Sequence, residues 1–155
     1  NEYGDHRYFE KYNDAVEEAL CFGWIDSTNK TLDANHTKQR FTPRKPQSSY
    51  SQPNIERLRW LVANDLIHPT YVETVQSILA REFVFPEDII AAIQKDPQTW
   101  NNYCRFSESY KRIRVAYIDS ARKRPEEFAK RLQNFISKTH ANTLISGFGG
   151  IEKYY

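Results

Sequence analysis

The chain has 155 residues, a mass of 18.3 kDa and a formal net charge of +2, with 39% hydrophobic, 27% charged and 14% aromatic residues. That length suits one compact domain able to bury about 68–70% of its unfolded surface, so neither disulfide nor metal is needed to hold it together. So small a net charge is too little to argue for nucleic acid, which is not the expected partner, and no apolar run approaches the ~18 residues of a transmembrane span.

Residues 1–11 are polar and aromatic without a period and read as a frayed start. The chain opens on Asn1 rather than Met, which suggests a processed or truncated stretch. A helix is expected from about Asn13 as N-cap, with Val16, Ala19 and Leu20 on its apolar side and Gly23 as its stop. Strands are expected at about 24–32 and 37–43, an antiparallel pair joined by a turn at Asp33-Ala34-Asn35-His36. Such a hairpin is marginal alone and must lie on other elements.

Residues 43–53 hold three prolines and three serines and read as loop. Ser51 then caps a helix with Pro53 in its first turn and Ile55, Leu58, Leu61 and Val62 at helical spacing. Further helices follow around Tyr71–Leu79, after Pro86, after Pro97, after Ser107 and after Pro125. In the Ser107 helix the period places Tyr110, Ile113, Tyr117 and Ala121 inward and Lys111, Arg112, Arg114 and Arg122 outward. The Gly/Tyr-rich tail reads as either a packed strap or a loose end. No internal repeat is visible.

ALCFGWID at 19–26, RFTPR at 40–44, Ser49-Tyr50-Ser51 and Asn54 together resemble the core motif of the YdeI/OmpD-associated, or bacteriocin-protection, family. Residues 86–138, from PEDIIAAI through FAKRLQNF, resemble that family's C-terminal helical module. Tyr50 departs from the family pattern, which has Trp there. The resemblance implies an α+β domain followed by a helical module, and a link to stress and antimicrobial-peptide resistance. It implies no established reaction.

The best site candidate is a set of aromatic, charged and small residues: Trp24, Asp26, Arg40, Arg44, Ser49, Tyr50, Ser51 and Asn54. Two guanidiniums near a helix start suit a carboxylate or phosphate through forked hydrogen bonds. The structural reading of the same residues is a latch in which Arg44 pairs with Asp26, leaving Arg40 as the ligand contact. Cys21 sits in an apolar run and reads as an inert buried thiol, unlinked to Cys104. His6, His36, His68 and His140 lack the spacings of a zinc site, so no metal, cofactor or catalytic residue is expected.

Charge is unevenly spread. Residues 105–138 carry 10 Lys/Arg against 4 Asp/Glu, and residues 1–104 carry 11 against 15. The basic helices of 108–138 could track phosphates, but the acidic front half offers them partners within the chain. The expectation is an α+β fold, with a small antiparallel sheet and a helix at the N-terminal end and a mainly helical C-terminal half. Residues 1–85 would form the first part and 86–155 a helical module packed on it as one unit. The expected function is binding or interaction of the bacteriocin-protection type, with a small anion or a protein as partner. The alternatives are a small-anion or metabolite sensor or enzyme using the Trp24–Asn54 pocket, and nucleic-acid binding by the basic helices. A cytoplasmic location is expected, or a periplasmic one if an N-terminal signal has been removed.

Overall fold

The computed structural model describes residues 12–34, 37–45, 48–147 and 150–155. Helix α1 spans Tyr12–Cys21 and buries Val16, Leu20 and Cys21. Asn13 lies inside this helix rather than capping it, a correction to the sequence expectation. Its amide is needed elsewhere: Oδ1 accepts from Nε and Nη2 of Arg57, and Nδ2 donates to Glu17. Gly23 does end the helix, with φ at +72° and its N–H donated to the Leu20 carbonyl.

Strands β1 (Trp24–Thr31) and β2 (Thr37–Pro43) form a two-stranded antiparallel sheet. The register pairs Trp24 with Pro43 and Asp26 with Phe41. It then shifts so that Thr28 meets Arg40 and Lys30 meets Lys38, leaving Ser27 as a bulge. Two residues of the expected turn, Asn35 and His36, lie outside the described residues, as does the start at 1–11. One face of the ribbon turns Phe41 toward the α1 core. Alternation puts Thr28, Lys30, Lys38 and Arg40 on the other face, where all four are exposed.

Helix α2 (Gln52–Ala63) follows Ser51, whose side chain makes no cap bond although the residue stands at the cap position with Pro53 in the first turn. A 3₁₀ turn at Pro69–Tyr71 leads into α3 (Val72–Leu79). Val16, Leu20 and Cys21 of α1 pack with Leu58, Leu61 and Val75 to make the first core. Four helices make the second: α4 (Glu87–Gln94), α5 (Pro97–Arg105), α6 (Glu108–Asp119) and α7 (Pro125–His140). Ile89, Ile93, Tyr110, Val115, Ile118 and Phe135 fill it. Ser107 caps α6 as expected, its Oγ accepting from the Tyr110 N–H.

Around α6 the period placed Tyr110, Ile113 and Ala121 inside and Arg122 outside, as they are, but Lys111 and Arg114 are buried and Tyr117 is exposed, the reverse of the expectation. The reason is position: α6 packs on both α2 and α7, so more than one face is covered and a single-stripe reading fails. Its basic residues are spent within the molecule. Arg112 forks onto Glu56 of α2, Lys111 pairs with Glu108, and Arg114 donates to the Ile145 carbonyl and the Tyr155 hydroxyl. Arg122 bridges Asp88 and Asp119.

The end of the tail is a strap. A 3₁₀ turn at Ile151–Tyr154 buries Ile151 and Tyr154 against Ile113 and Trp60. Lys153 sits 3.6 Å from the centre of the Trp60 ring and pairs with Glu17 at 2.7 Å, tying the last residues to α1 and α2. Phe148 and Gly149 lie outside the described residues.

Helices α5 and α7 are pinned where the start of one meets the end of the other. Asp96 caps α5 by accepting from the Thr99 N–H and hydroxyl, and it also meets His140 Nδ1 at 2.9 Å. Thr99 first, then His140, holds the Asp96 carboxyl down to about 2. A depressed carboxylate contributes stability above its unfolded value, near 3.9, and loses it as pH falls toward 2. Acid titrations of Asp96→Asn, followed by circular dichroism, should therefore show a smaller loss of stability between pH 4 and pH 2 than the parent. Parallel curves for the two proteins would remove Asp96 from the acid response.

Candidate ligand-binding cleft

The eight residues singled out from the sequence separate into four places. Asp26, Ser51 and Asn54 line one cleft, Trp24 lines a shallow groove with Phe22, Phe41 and α1, and Arg40 lies on the outer face of the ribbon. Arg44, Ser49 and Tyr50 form a knot of their own. The Arg44 guanidinium stacks 3.7 Å from the centre of the Tyr50 ring and donates from Nη1 to the Ser49 carbonyl at 3.0 Å.

The expected Asp26–Arg44 latch is therefore corrected. Arg44 does fasten a loop, but to Ser49 and Tyr50, while Asp26 accepts from the Tyr12 hydroxyl at 2.8 Å. The register explains the difference. Arg44 follows the last residue of β2, its N–H bonds the Gly23 carbonyl, and Asp26 stands opposite Phe41 further along the ribbon. The Tyr50 hydroxyl in turn meets that of Tyr71, and burial with this contact raises the Tyr50 pKa. Arg44→Ala removes one cation–π stack and one charge-assisted hydrogen bond, a loss of roughly 1–3 kcal/mol. Urea melts should show it, and an unchanged midpoint would mean that the knot contributes nothing.

The cleft that takes in Asp26, Ser51 and Asn54 has a volume of about 610 Å³. One wall is the start of α2 (Ser51, Gln52, Pro53, Asn54) with Arg57 one turn further on, and Tyr12 and Asp26 close that side. The opposite wall is α6, through Ile113, Arg114, Ala116, Tyr117 and Ser120, with Ile151 of the strap at the edge. The size falls within the 300–1,000 Å³ of small-molecule sites, and the mix of rings, aliphatic side chains and a few polar groups is their usual lining.

Two arginines of this lining were not singled out from the sequence. Arg57 and Arg114 are only 5% and 3% exposed. Arg57 is held by bonds to Asn13 Oδ1 and Asn54 Oδ1, with its guanidinium 5.5 Å from the Tyr154 ring. Its signal was present, since Arg57 sits four residues before Leu61 and beside Leu58 on the buried stripe of α2. On the same side, burial and the hydrogen bond to Asp26 raise the Tyr12 pKa. The Tyr12 phenol thus stays protonated and donating at neutral pH.

Cys21 is a buried free thiol whose pKa is pushed up by burial and then by Glu18 and Glu17, which suits an inert side chain. Among the described residues no cluster of three or more His, Cys, Asp or Glu side chains could hold a metal ion, and no helix is long and apolar enough to cross a membrane.

Two family models match the chain, one on each side of the cleft. Residues 4–74 match "Domain of unknown function (DUF8412)", which takes in the Ala19–Asn54 motifs, Arg57 and the α2 wall. Residues 82–142 match "Bacteriocin-protection, YdeI or OmpD-Associated", which takes in the α6 wall. No curated protein and no solved structure matches the chain. Residues 82–142 are thus similar to the bacteriocin-protection, YdeI- or OmpD-associated family.

Proposed function

We propose that the protein is a binding protein of the bacteriocin-protection type, acting in stress or antimicrobial-peptide resistance, and that it takes its ligand in the cleft between α2 and α6. The observation that carries this is the cleft's construction: its walls come from both matched segments, so neither segment forms the site alone. In this reading residues 1–85 and 86–155 work as one unit, with the Arg112–Glu56 fork and the C-terminal strap holding the walls together.

The lining supports binding rather than turnover. Asp26 is held by Tyr12, and the remaining polar groups are amides, hydroxyls and guanidiniums suited to orienting a bound molecule. Two guanidiniums against one carboxylate give the lining a positive balance, which favours a ligand with a carboxylate or phosphate group. In this reading the positive charge that attracts the ligand is that of Arg57 and Arg114, rather than of Arg40 on the outer face of the ribbon.

A thermal-shift screen of metabolites and anions tests the reading, because a ligand selective for the folded state stabilises it by about 2.7 kcal/mol at a hundred times its Kd. Compounds that raise the melting temperature of the parent should fail to do so for Ala116→Trp, whose indole fills the cleft. Hits that shift both proteins equally would place binding elsewhere. For the biological role, raising the protein's level in a peptide-sensitive bacterium should raise the peptide concentration that stops growth, and an unchanged threshold would contradict it.

A further inference from the structure

The outer face of the ribbon breaks a pairing rule. Lys30 stands directly opposite Lys38 in the register, and like charges so placed repel across the 4.5–5.5 Å between paired Cβ atoms. Arg40, two residues along β2 from Lys38, joins them on the same face opposite Thr28. All three cations are exposed, and the strand positions of this face include no carboxylate. Several cations elsewhere are neutralised by carboxylates, with Arg112 on Glu56, Arg122 on Asp88 and Lys153 on Glu17. Here three are left together, concentrated within a patch on the order of 5 Å by 7 Å.

We propose that this face docks the phosphate backbone of duplex nucleic acid. A two-stranded ribbon is one of the shapes that a major groove about 12 Å wide admits. The exposed strand residues of the face, Thr28, Lys30, Lys38 and Arg40, all donate hydrogen bonds to phosphate oxygens. No aromatic residue lies among them to stack unpaired bases, which favours a duplex over a single strand. The bulge at Ser27 increases the local twist of the ribbon, so that it can follow a groove. Binding of this kind is independent of sequence and steeply sensitive to salt. It uses the ribbon's outer face and leaves the α2–α6 cleft untouched.

The test is fluorescence anisotropy of a labelled mixed-sequence duplex, titrated with the whole protein at low salt and again as salt is raised. Three phosphate contacts contribute about −2.7 to the slope of log K against log salt. The Lys30→Gln/Lys38→Gln/Arg40→Gln variant should lose that part of the slope and bind more than tenfold more weakly. A control with the same charge loss, Lys123→Gln/Arg124→Gln/Lys130→Gln at the exposed start of α7, should bind within twofold of the parent. Both variants should melt like the parent, since every changed side chain is exposed. Absence of duplex binding at low salt overturns the proposal, as does equal weakening by the two variants. Ribbon-dependent capture by phosphatidylserine vesicles with no duplex binding also overturns it.

Discussion

Arg112→Ala is expected to destabilise the protein by about 3–5 kcal/mol, lowering the melting temperature by roughly 6–20 °C. The Glu56 carboxylate is 2% exposed and takes a two-pronged bond from Arg112, at 2.6 Å and 2.9 Å. That bond with Glu56 raises the Arg112 pKa even against partial burial. Removing the guanidinium leaves a buried carboxylate with Gln52 as a neutral donor and Arg59 more distant, at 3.8 Å. Glu56→Ala should be milder, because Arg112 is 19% exposed and can turn to water. Removing both partners should recover much of the single Arg112→Ala loss, as buried ion pairs often prove replaceable once neither charge remains. Urea melts of the two single variants and the double variant give the coupling directly. An Arg112→Ala protein that melts like the parent would mean that α2 and α6 are held by apolar packing alone.

Gly23→Ala should cost roughly 2–5 kcal/mol through two separate causes. The backbone at Gly23 is left-handed, with φ at +72°, and an added Cβ would lie 2.6 Å from Cζ of Tyr71. Tyr71 cannot swing away freely, because its hydroxyl bonds Tyr50, whose ring carries the Arg44 guanidinium. The damage should therefore spread into the loop before α2. Placed in a Tyr71→Ala background, the same change should cost only the left-handed part, about 1–2 kcal/mol. Equal costs in both backgrounds would remove the steric share of the account.

Gly23 also shows what was legible in the sequence. A glycine after an apolar helical stripe and before a Thr-rich stretch marks a helix stop from local chemistry alone, and Ser107 before Glu108 does the same for a helix start. The hairpin was readable because alternation and a polar turn are local signals. Asn13 was not, since its role depends on Arg57, far away in sequence, and a good capping residue serves equally well as a buried hydrogen-bond hub. Lys111, Arg114 and Tyr117 were put on the wrong side because periodicity assumes one buried stripe, and α6 is covered by α2 and α7 together.

The candidate site was legible in part. Asp26, Ser51 and Asn54 do meet in one cleft, because the end of the loop and the start of α2 bring them there. The α6 wall was out of reach of local reasoning, since the packing of residues 113–120 against residues 51–57 is a tertiary fact. Arg44 was rightly read as a fastening, but its partner follows from a one-residue register that the sequence leaves open. Lys30 and Lys38 become a pair only once that register is known.

The central claim is that one ligand touches both matched segments at once. Amide chemical-shift mapping of the isotope-labelled protein, titrated with a compound from the thermal-shift screen, tests it most directly. The account predicts that the perturbed amides fall together at residues 51–57 of α2 and 113–120 of α6, with the outer ribbon unmoved. Perturbations confined to one of those walls, or centred on the groove of Phe22, Trp24 and Phe41, would contradict it.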